Sequence, residues 1–261
     1  MVHAVNSGHP GGSMGCAEYM VMLYFKHMKH NTNFSMDGIG EDLFFLSNGH
    51  ISPVFYSVLA RSGYFEVSEL NTFRKINSRL QGHPATHENL EGVRIATGSL
   101  GQGLSVACGA ARAKKLNGDS SLVYTLHGDG EMQEGQNWEA FMFAAHHRLD
   151  NMIAAIDLNN KQIDGDVSDV MNIHSLDDKI KSFGWDTLTV EDGNDLAQID
   201  AGLSDAKSRT GRGKPVAIIL KTKMGAGVDF MEDDHNWHGK APNDEQFAKA
   251  MAQLPETLGD Y

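Results

Sequence analysis

The sequence predicts an α/β fold: a doubly wound, mostly parallel sheet with helices on both faces. Three observations predict it. Short apolar runs at residues 43–46, 122–126, 152–156, 185–190 and 215–220 alternate with stretches of helical periodicity. Residues 121–165 read as strand, turn, helix, strand, which is one βαβ unit. No internal repeat, low-complexity tract or interdomain linker interrupts the 261 residues, so residues 1–261 are expected to form one domain.

In chain order, residues 1–5 read as the end of a helix. They lead into the loop Asn6-Ser7-Gly8-His9-Pro10-Gly11-Gly12-Ser13, whose glycines allow close backbone approach to a ligand. Residues 17–27 are apolar nearly all round, as in a buried helix or a subunit contact. A polar loop at 31–41 precedes the strand at 43–46, which stops at Ser47-Asn48-Gly49-His50. Residues 53–61 are expected to be helical with Phe55, Leu59 and Ala60 inside, and residues 70–77 to form a second short helix before Gly82-His83-Pro84. The segment Thr97 to Gly103 opens a long helix reaching Leu116, in which Ala107, Gly109, Ala110 and Ala111 suit tight packing.

Within the βαβ unit, Trp138, Phe141, Met142 and Ala145 have the spacing of one buried helical face. Ser175 begins a capping-box-like start, with Leu176, Ile180 and Phe183 on one face. Asn194 is expected to cap a helix with the stripe Leu196, Ile199, Leu203 and Ala206. Residues 243–261 read as an acidic, helix-forming tail.

The chemistry centres on two strand ends. Parallel strands of a βαβ unit finish at the same sheet edge, where open α/β sheets bind ligands. Asp129, inside Gly128-Asp129-Gly130, and Asn159, thirty residues on, each follow a strand there. A carboxylate and an amide oxygen suit Mg²⁺ or Ca²⁺ rather than zinc, and Mg²⁺ completes its octahedron with phosphate oxygens and water. The site therefore asks for a diphosphate. His235 and His238 have His-x-x-His spacing, but no further ligand stands where zinc would need one.

A net charge of −12 disfavours nucleic acid and anionic membranes as partners, and no apolar stretch approaches the ~20 residues of a membrane span. Two cysteines, Cys16 and Cys108, suit a reducing compartment, and the expected location is the cytoplasm.

Gly128-Asp129-Gly130, the thirty-residue spacing and Asn159-Asn160 resemble the thiamine-diphosphate motif. The context Glu131-Met132-Gln133-Glu134-Gly135, with SGHPGG at 7–12, LSNGH at 46–50, GHP at 82–84 and KTKMGAG…HNWHGKAP at 221–242, narrows the resemblance to transketolase. That resemblance implies thiamine diphosphate and Mg²⁺ (with Ca²⁺ or Mn²⁺ as substitutes) as cofactors. It implies Asp129, Asn159 and the carbonyl of Lys161 as metal ligands. The cofactor would lie against His50, Gly98, Ser99, Leu100, Gly130, Asn159, Ile163 and His235, and His9, His83 and His235 would act on substrate. The family commonly has proline at Ser99 and an apolar residue at His127. Glu134 and Glu139 match acidic residues that link paired cofactors near a dimer interface, or are exposed charges favouring a helix dipole.

The resemblance covers the diphosphate-binding portion of a transketolase, without the pyrimidine-binding domain. It therefore implies an N-terminal subunit working with a C-terminal partner chain on phosphorylated sugars, as a dimer or heterotetramer. Two alternatives stay open: a chain of a pyruvate-dehydrogenase-like or deoxyxylulose-phosphate-synthase-like enzyme, and a non-catalytic assembly module.

Overall fold

A computed structural model describes residues 1–254. The strands are β1 (Leu43–Leu46), β2 (Val123–Gly128), β3 (Met152–Leu158), β4 (Lys161–Gln162), β5 (Gly165–Asp166), β6 (Asp186–Val190) and β7 (Val216–Lys221). The helices are α1 (Pro10–Gly15), α2 (Ala17–Met22), α3 (Ser52–Arg61), α4 (Gln102–Leu116), α5 (Gly135–His146), α6 (Val167–Val170), α7 (Leu176–Ser182), α8 (Leu196–Arg209) and α9 (Asp244–Gln253). Five strands pair in parallel in the order β1-β2-β3-β7-β6, and β4 with β5 makes a small antiparallel ladder.

Side-chain alternation along the strands divides the core in two. Phe44, Leu46, Tyr124, Leu126, Ile153, Ala155 and Ile218 pack with Tyr19, Leu23, Phe55, Leu59 and Leu203, which come from α2 and its continuation, α3 and α8. Leu43, Phe45, Val123, Ala154, Ile156 and Ile219 point the other way, onto Leu104, Ala107, Phe141 and Ile180 of α4, α5 and α7. The sheet is thus covered by helices on both faces, which is why its strands read as apolar runs.

Several local expectations are corrected. Residues 1–5 contain one 3₁₀ turn, His3–Val5, stopped by Asn6 in the left-handed region at φ 47°. α2 ends in a π-helical turn, Leu23–His27, and Val21 and Phe25 are exposed, which corrects the buried-helix alternative and not that of a subunit contact. The second short helix is a 3₁₀ turn at Val67–Thr72, and left-handed backbone at Arg74 and Asn77 prevents it from continuing. On α5 the inner face is Asn137, Ala140, Phe141 and Ala144, with Met142 51% exposed. In α4, Ala107 and Ala111 are buried while Gly109 faces open space.

Ser175 caps α7 as expected, accepting from Asp178 N at 3.2 Å. Asp195, not Asn194, caps α8, accepting from Gln198 N at 2.8 Å. Asn194 instead donates to Gly15 O at 3.0 Å and tethers α1. Leu196 is exposed and Gly202 takes its place on the inner face. The acidic tail begins with α9, closed by a capping box of Asn243 and Gln246; residues 255–261 lie outside the described part.

The rotated face of α5 gives a test. Phe141 is fully buried against the Trp185 ring, with centroids 4.8 Å apart. Phe141→Ala should destabilise the chain by about 3–5 kcal/mol in urea unfolding, whereas Met142→Ala should stay within about 0.5 kcal/mol. Equal losses would mean that the helix faces the core as the sequence spacing predicts.

Candidate active site

The C-terminal ends of β1, β2, β3 and β7 open onto one cleft. Residues lining it include His9, Asn48, His50 and His83, then Asp129 and Asn159, and finally Met224 and His238. At its floor Asp129, 1% exposed, accepts from Gly130 N at 2.8 Å and from Asn160 N at 2.5 Å. Asn160 reaches it because its backbone is left-handed, at φ 58°. Burial, and then the neighbouring Asp157 carboxylate, push the Asp129 carboxyl up to about 7 despite those two donors.

Asp157 is a buried support that the sequence did not reveal. It is 2% exposed at the end of β3 and accepts from the Thr222 hydroxyl. It also accepts from Asn159 Nδ2 at 2.7 Å. That bond fixes the Asn159 amide so that its oxygen lies on the other side, where it accepts from Lys161 N at 2.8 Å. The side-chain oxygens at these two strand ends are hard: the Asp129 carboxylate and the Asn159 amide, both in the cleft lining. Among the described residues, no group of three or more His, Cys, Asp and Glu could hold a metal, so a nitrogen- or sulfur-rich centre is absent from them.

Glu131 is the second support without a local sequence signal. It is 2% exposed and accepts from the Ser47 hydroxyl, from Gly101 N at 2.8 Å and from Gly128 N at 3.1 Å. One carboxylate thereby ties the loop after β1, the start of α4 and the Gly128 turn. His127 foremost, then the Ser47 hydroxyl and Gly101 N, hold it below the usual carboxylate range despite its burial. His127 is fully buried beneath it, bonded to Thr125 Oγ1 at 2.8 Å.

Four imidazoles form the opposite wall. His9 lies with ring centroids 5.2 Å from His50, 6.2 Å from His83 and 5.7 Å from His238, and His50 is 4.9 Å from His238. The Nδ1 atoms of His9 and His238 are buried without a protein partner. Burial foremost, then His238, Arg74 and His83, push His9 down to about 4. Burial also lowers His50, His83 and His238, so these rings are neutral near pH 7, and a neutral imidazole both accepts and donates a proton.

His238 occupies the place expected of His235. Trp237, 5% exposed and donating to Phe230 O at 2.9 Å, pins the 3₁₀ turn His235–Trp237. The residue after that anchor meets His9 and His50, while His235 is half-buried and outside the cleft lining. Gly98, Leu100, Gly130, Lys161 and Ile163 line the cleft; Ser99 is exposed and does not. Gly98 has φ 120°, and a Cβ there would stand 2.9 Å from the His83 ring.

Comparison with known proteins matches this sequence and fold. Residues 1–256 match the family described as the transketolase, thiamine diphosphate binding domain. The chain is 38% identical over 250 residues to the 6-deoxy-6-sulfo-D-fructose transketolase subunit SqwG of Clostridium sp. (strain MSTE9), covering 95% of this chain and 88% of the other. It is 35% identical to one of the subunits of the apulose-4-phosphate transketolase of Actinobacillus succinogenes, with the same coverage. It is 38% identical to human transketolase but spans only 39% of that protein. The crystal structure of transketolase from Campylobacter jejuni superposes with a TM-score of 0.88 at 36% identity, over 97% of this chain and 40% of that one. The fold is that of a thiamine-diphosphate-binding domain. The chain belongs to the transketolase family, as the N-terminal section of a ketol transferase.

The raised Asp129 carboxyl has a consequence for the metal-free chain. Its folded-state pKa of about 7 lies above the ordinary 3.8. The contribution of Asp129 to stability therefore falls as pH rises between those two values, because the buried carboxyl must ionise. Asp129→Asn has no such titration. With chelator present, its melting temperature relative to wild type should climb from about pH 4 to about pH 7 and then level off. A pH-independent difference would contradict the burial argument.

Proposed function

We propose that this chain is the N-terminal, diphosphate-binding subunit of a two-chain transketolase. With a partner carrying a pyrimidine-binding domain, it transfers a two-carbon ketol unit from a ketose phosphate to an aldose phosphate. On this reading residues 1–261 are one domain, the complex is a dimer or heterotetramer, and the protein works in the cytoplasm. The reading rests above all on one observation: His9, His50, His83 and His238 share a cleft with Asp129 and Asn159. Two relatives that the chain matches almost end to end are themselves named as transketolase subunits.

Asp129, the Asn159 amide oxygen and the Lys161 carbonyl would hold Mg²⁺, with Ca²⁺ or Mn²⁺ able to replace it. The cation would relieve the burial of Asp129 and present positive charge to the diphosphate of thiamine diphosphate. When bound, that cofactor supplies the nucleophile and electron sink. This chain's side chains do the rest. Asp157, by holding the Asn159 amide nitrogen, would leave the amide oxygen for the metal. Gly98 and Leu100 would leave room for the cofactor's rings, and His50 would lie nearer the diphosphate. His9 and His238, neutral and with an unpartnered buried Nδ1 each, exchange protons with ketose hydroxyls, while His83 orients the sugar.

The histidine assignment separates two neighbours. In the complex with its partner, His238→Ala should lower kcat by about 10²–10⁴-fold, the usual cost of losing a proton-transfer group, with Mg²⁺ and cofactor still bound. His235→Ala should leave kcat within a few-fold of wild type. A large loss in His235→Ala with an active His238→Ala would reverse the assignment.

A further inference from the structure

Two loops of the cleft carry the same tripeptide, Gly8-His9-Pro10 and Gly82-His83-Pro84, far apart in sequence. One side chain reaches both. Arg74 Nη1 donates to Ser7 Oγ at 2.8 Å, next to the first tripeptide. Its guanidinium also lies over Gly82 of the second, where a Cβ would stand 2.7 Å from Cζ. Any side chain at Gly82 would push the guanidinium away, so the absence of one there makes room for Arg74.

The local backbone is shaped for this reach. Arg74 is left-handed at φ 56°, with its N–H donating to Leu80 O at 2.8 Å. The guanidinium packs 5.5 Å from the centroid of the Phe73 ring, and Phe73 itself is buried. Its Nε is buried without a hydrogen-bond partner, and among the described residues no carboxylate lies within salt-bridge distance. A half-buried cation left without a counter-charge is costly unless it serves a position.

We propose that Arg74 is a positioning residue that clamps the two Gly-His-Pro loops together and so sets the spacing of His9 and His83 across the bound ketose. The proposal rests on the reading of these two histidines as the imidazoles that meet substrate hydroxyls. Lysine would not replace it, because a point charge on a flexible stem cannot lie flat over Gly82 while donating to Ser7.

The electrostatics test whether the Arg74 charge stands beside both histidines, and the kinetics test the clamp. His9 faces His238, Arg74 and His83, and after burial all three lower its proton affinity. His83 is lowered by burial and then by Arg74. His50 responds to burial and to the other imidazoles, and His238 to burial, with Asp164 acting in the opposite direction. Arg74 also faces the Tyr56 phenol, which donates to Gln81 O at 2.9 Å beside Gly82.

Three variants of the full chain separate charge from clamp: Arg74→Gln, Arg74→Lys and Ser7→Ala. The first readout is the titration of the histidine rings by NMR in the chain itself, which needs no turnover. Arg74→Gln should raise the midpoints of His9 and His83 more than those of His50 and His238. Arg74→Lys and Ser7→Ala should leave them near wild type. The second readout is kinetics in the complex with the partner chain. Arg74→Lys and Ser7→Ala should each raise KM for the ketose by about tenfold, the scale of one lost charged-group hydrogen bond. Affinity for Mg²⁺ and thiamine diphosphate should not change.

Unmoved His9 and His83 midpoints in folded Arg74→Gln would overturn the proposal. So would a wild-type KM in both Arg74→Lys and Ser7→Ala, and those two decide the matter if Arg74→Gln does not fold. Failure of the underlying histidine reading looks different: His9→Ala would then keep wild-type kinetics, whatever the Arg74 variants do.

Discussion

Asp129 and Asn159 meet because β2 and β3 are parallel neighbours in one register, with Gly128 opposite Asp157. The pairing continues past the strand ends. Asp129 N donates to Asp157 O at 3.0 Å, and Asn160 N returns a bond to the Asp129 carboxylate. A slip of one residue would exchange the two faces of β2, exposing each set of side chains to the wrong core. Both faces are packed, by different helices, so the register is strongly specified and the two oxygen donors come together as a by-product of folding.

The cleft built on that register is electrostatically unusual. Its floor holds two buried carboxylates, Asp129 and Asp157, and its opposite wall holds imidazoles that are neutral near pH 7. Neither wall attracts an anion by itself. On the proposed reading this is why the diphosphate needs a divalent cation, since the lysine in the cleft lining, Lys161, is already paired with Asp166. The same neutrality keeps His9 and His238 available for proton exchange with hydroxyls. Asp157 and Glu131 hold these groups from behind, one fixing the amide of Asn159 and the other tying three loops.

The fold was legible because both faces of the sheet are covered, so each strand is an apolar run and each helix shows its period. Asp129 was legible because two glycines and a strand end bracket it. What stayed hidden depends on distance in the chain. Asp157 and Glu131 are charged residues in a motif, and nothing local says that their partners are Thr222 or Gly101. Sequence reasoning chose His235 where the cleft holds His238, because spacing alone does not show that Trp237 is the anchor and His238 the residue beyond it. On α5, Met142 is as apolar as its neighbours, and only packing shows that it faces outward. The short helix expected at 70–77 failed on left-handed residues, Arg74 and Asn77, that have a side chain and carry no glycine signal.

The central claim is that this chain supplies the metal-dependent diphosphate half of a shared cofactor site. Calorimetric titration of thiamine diphosphate into the chain mixed with its partner, with and without Mg²⁺, tests it most directly. The account predicts saturable, stoichiometric binding that requires both Mg²⁺ and an intact Asp129, and that disappears in Asp129→Ala. Equal affinity in wild type and Asp129→Ala, or binding indifferent to Mg²⁺, would contradict it.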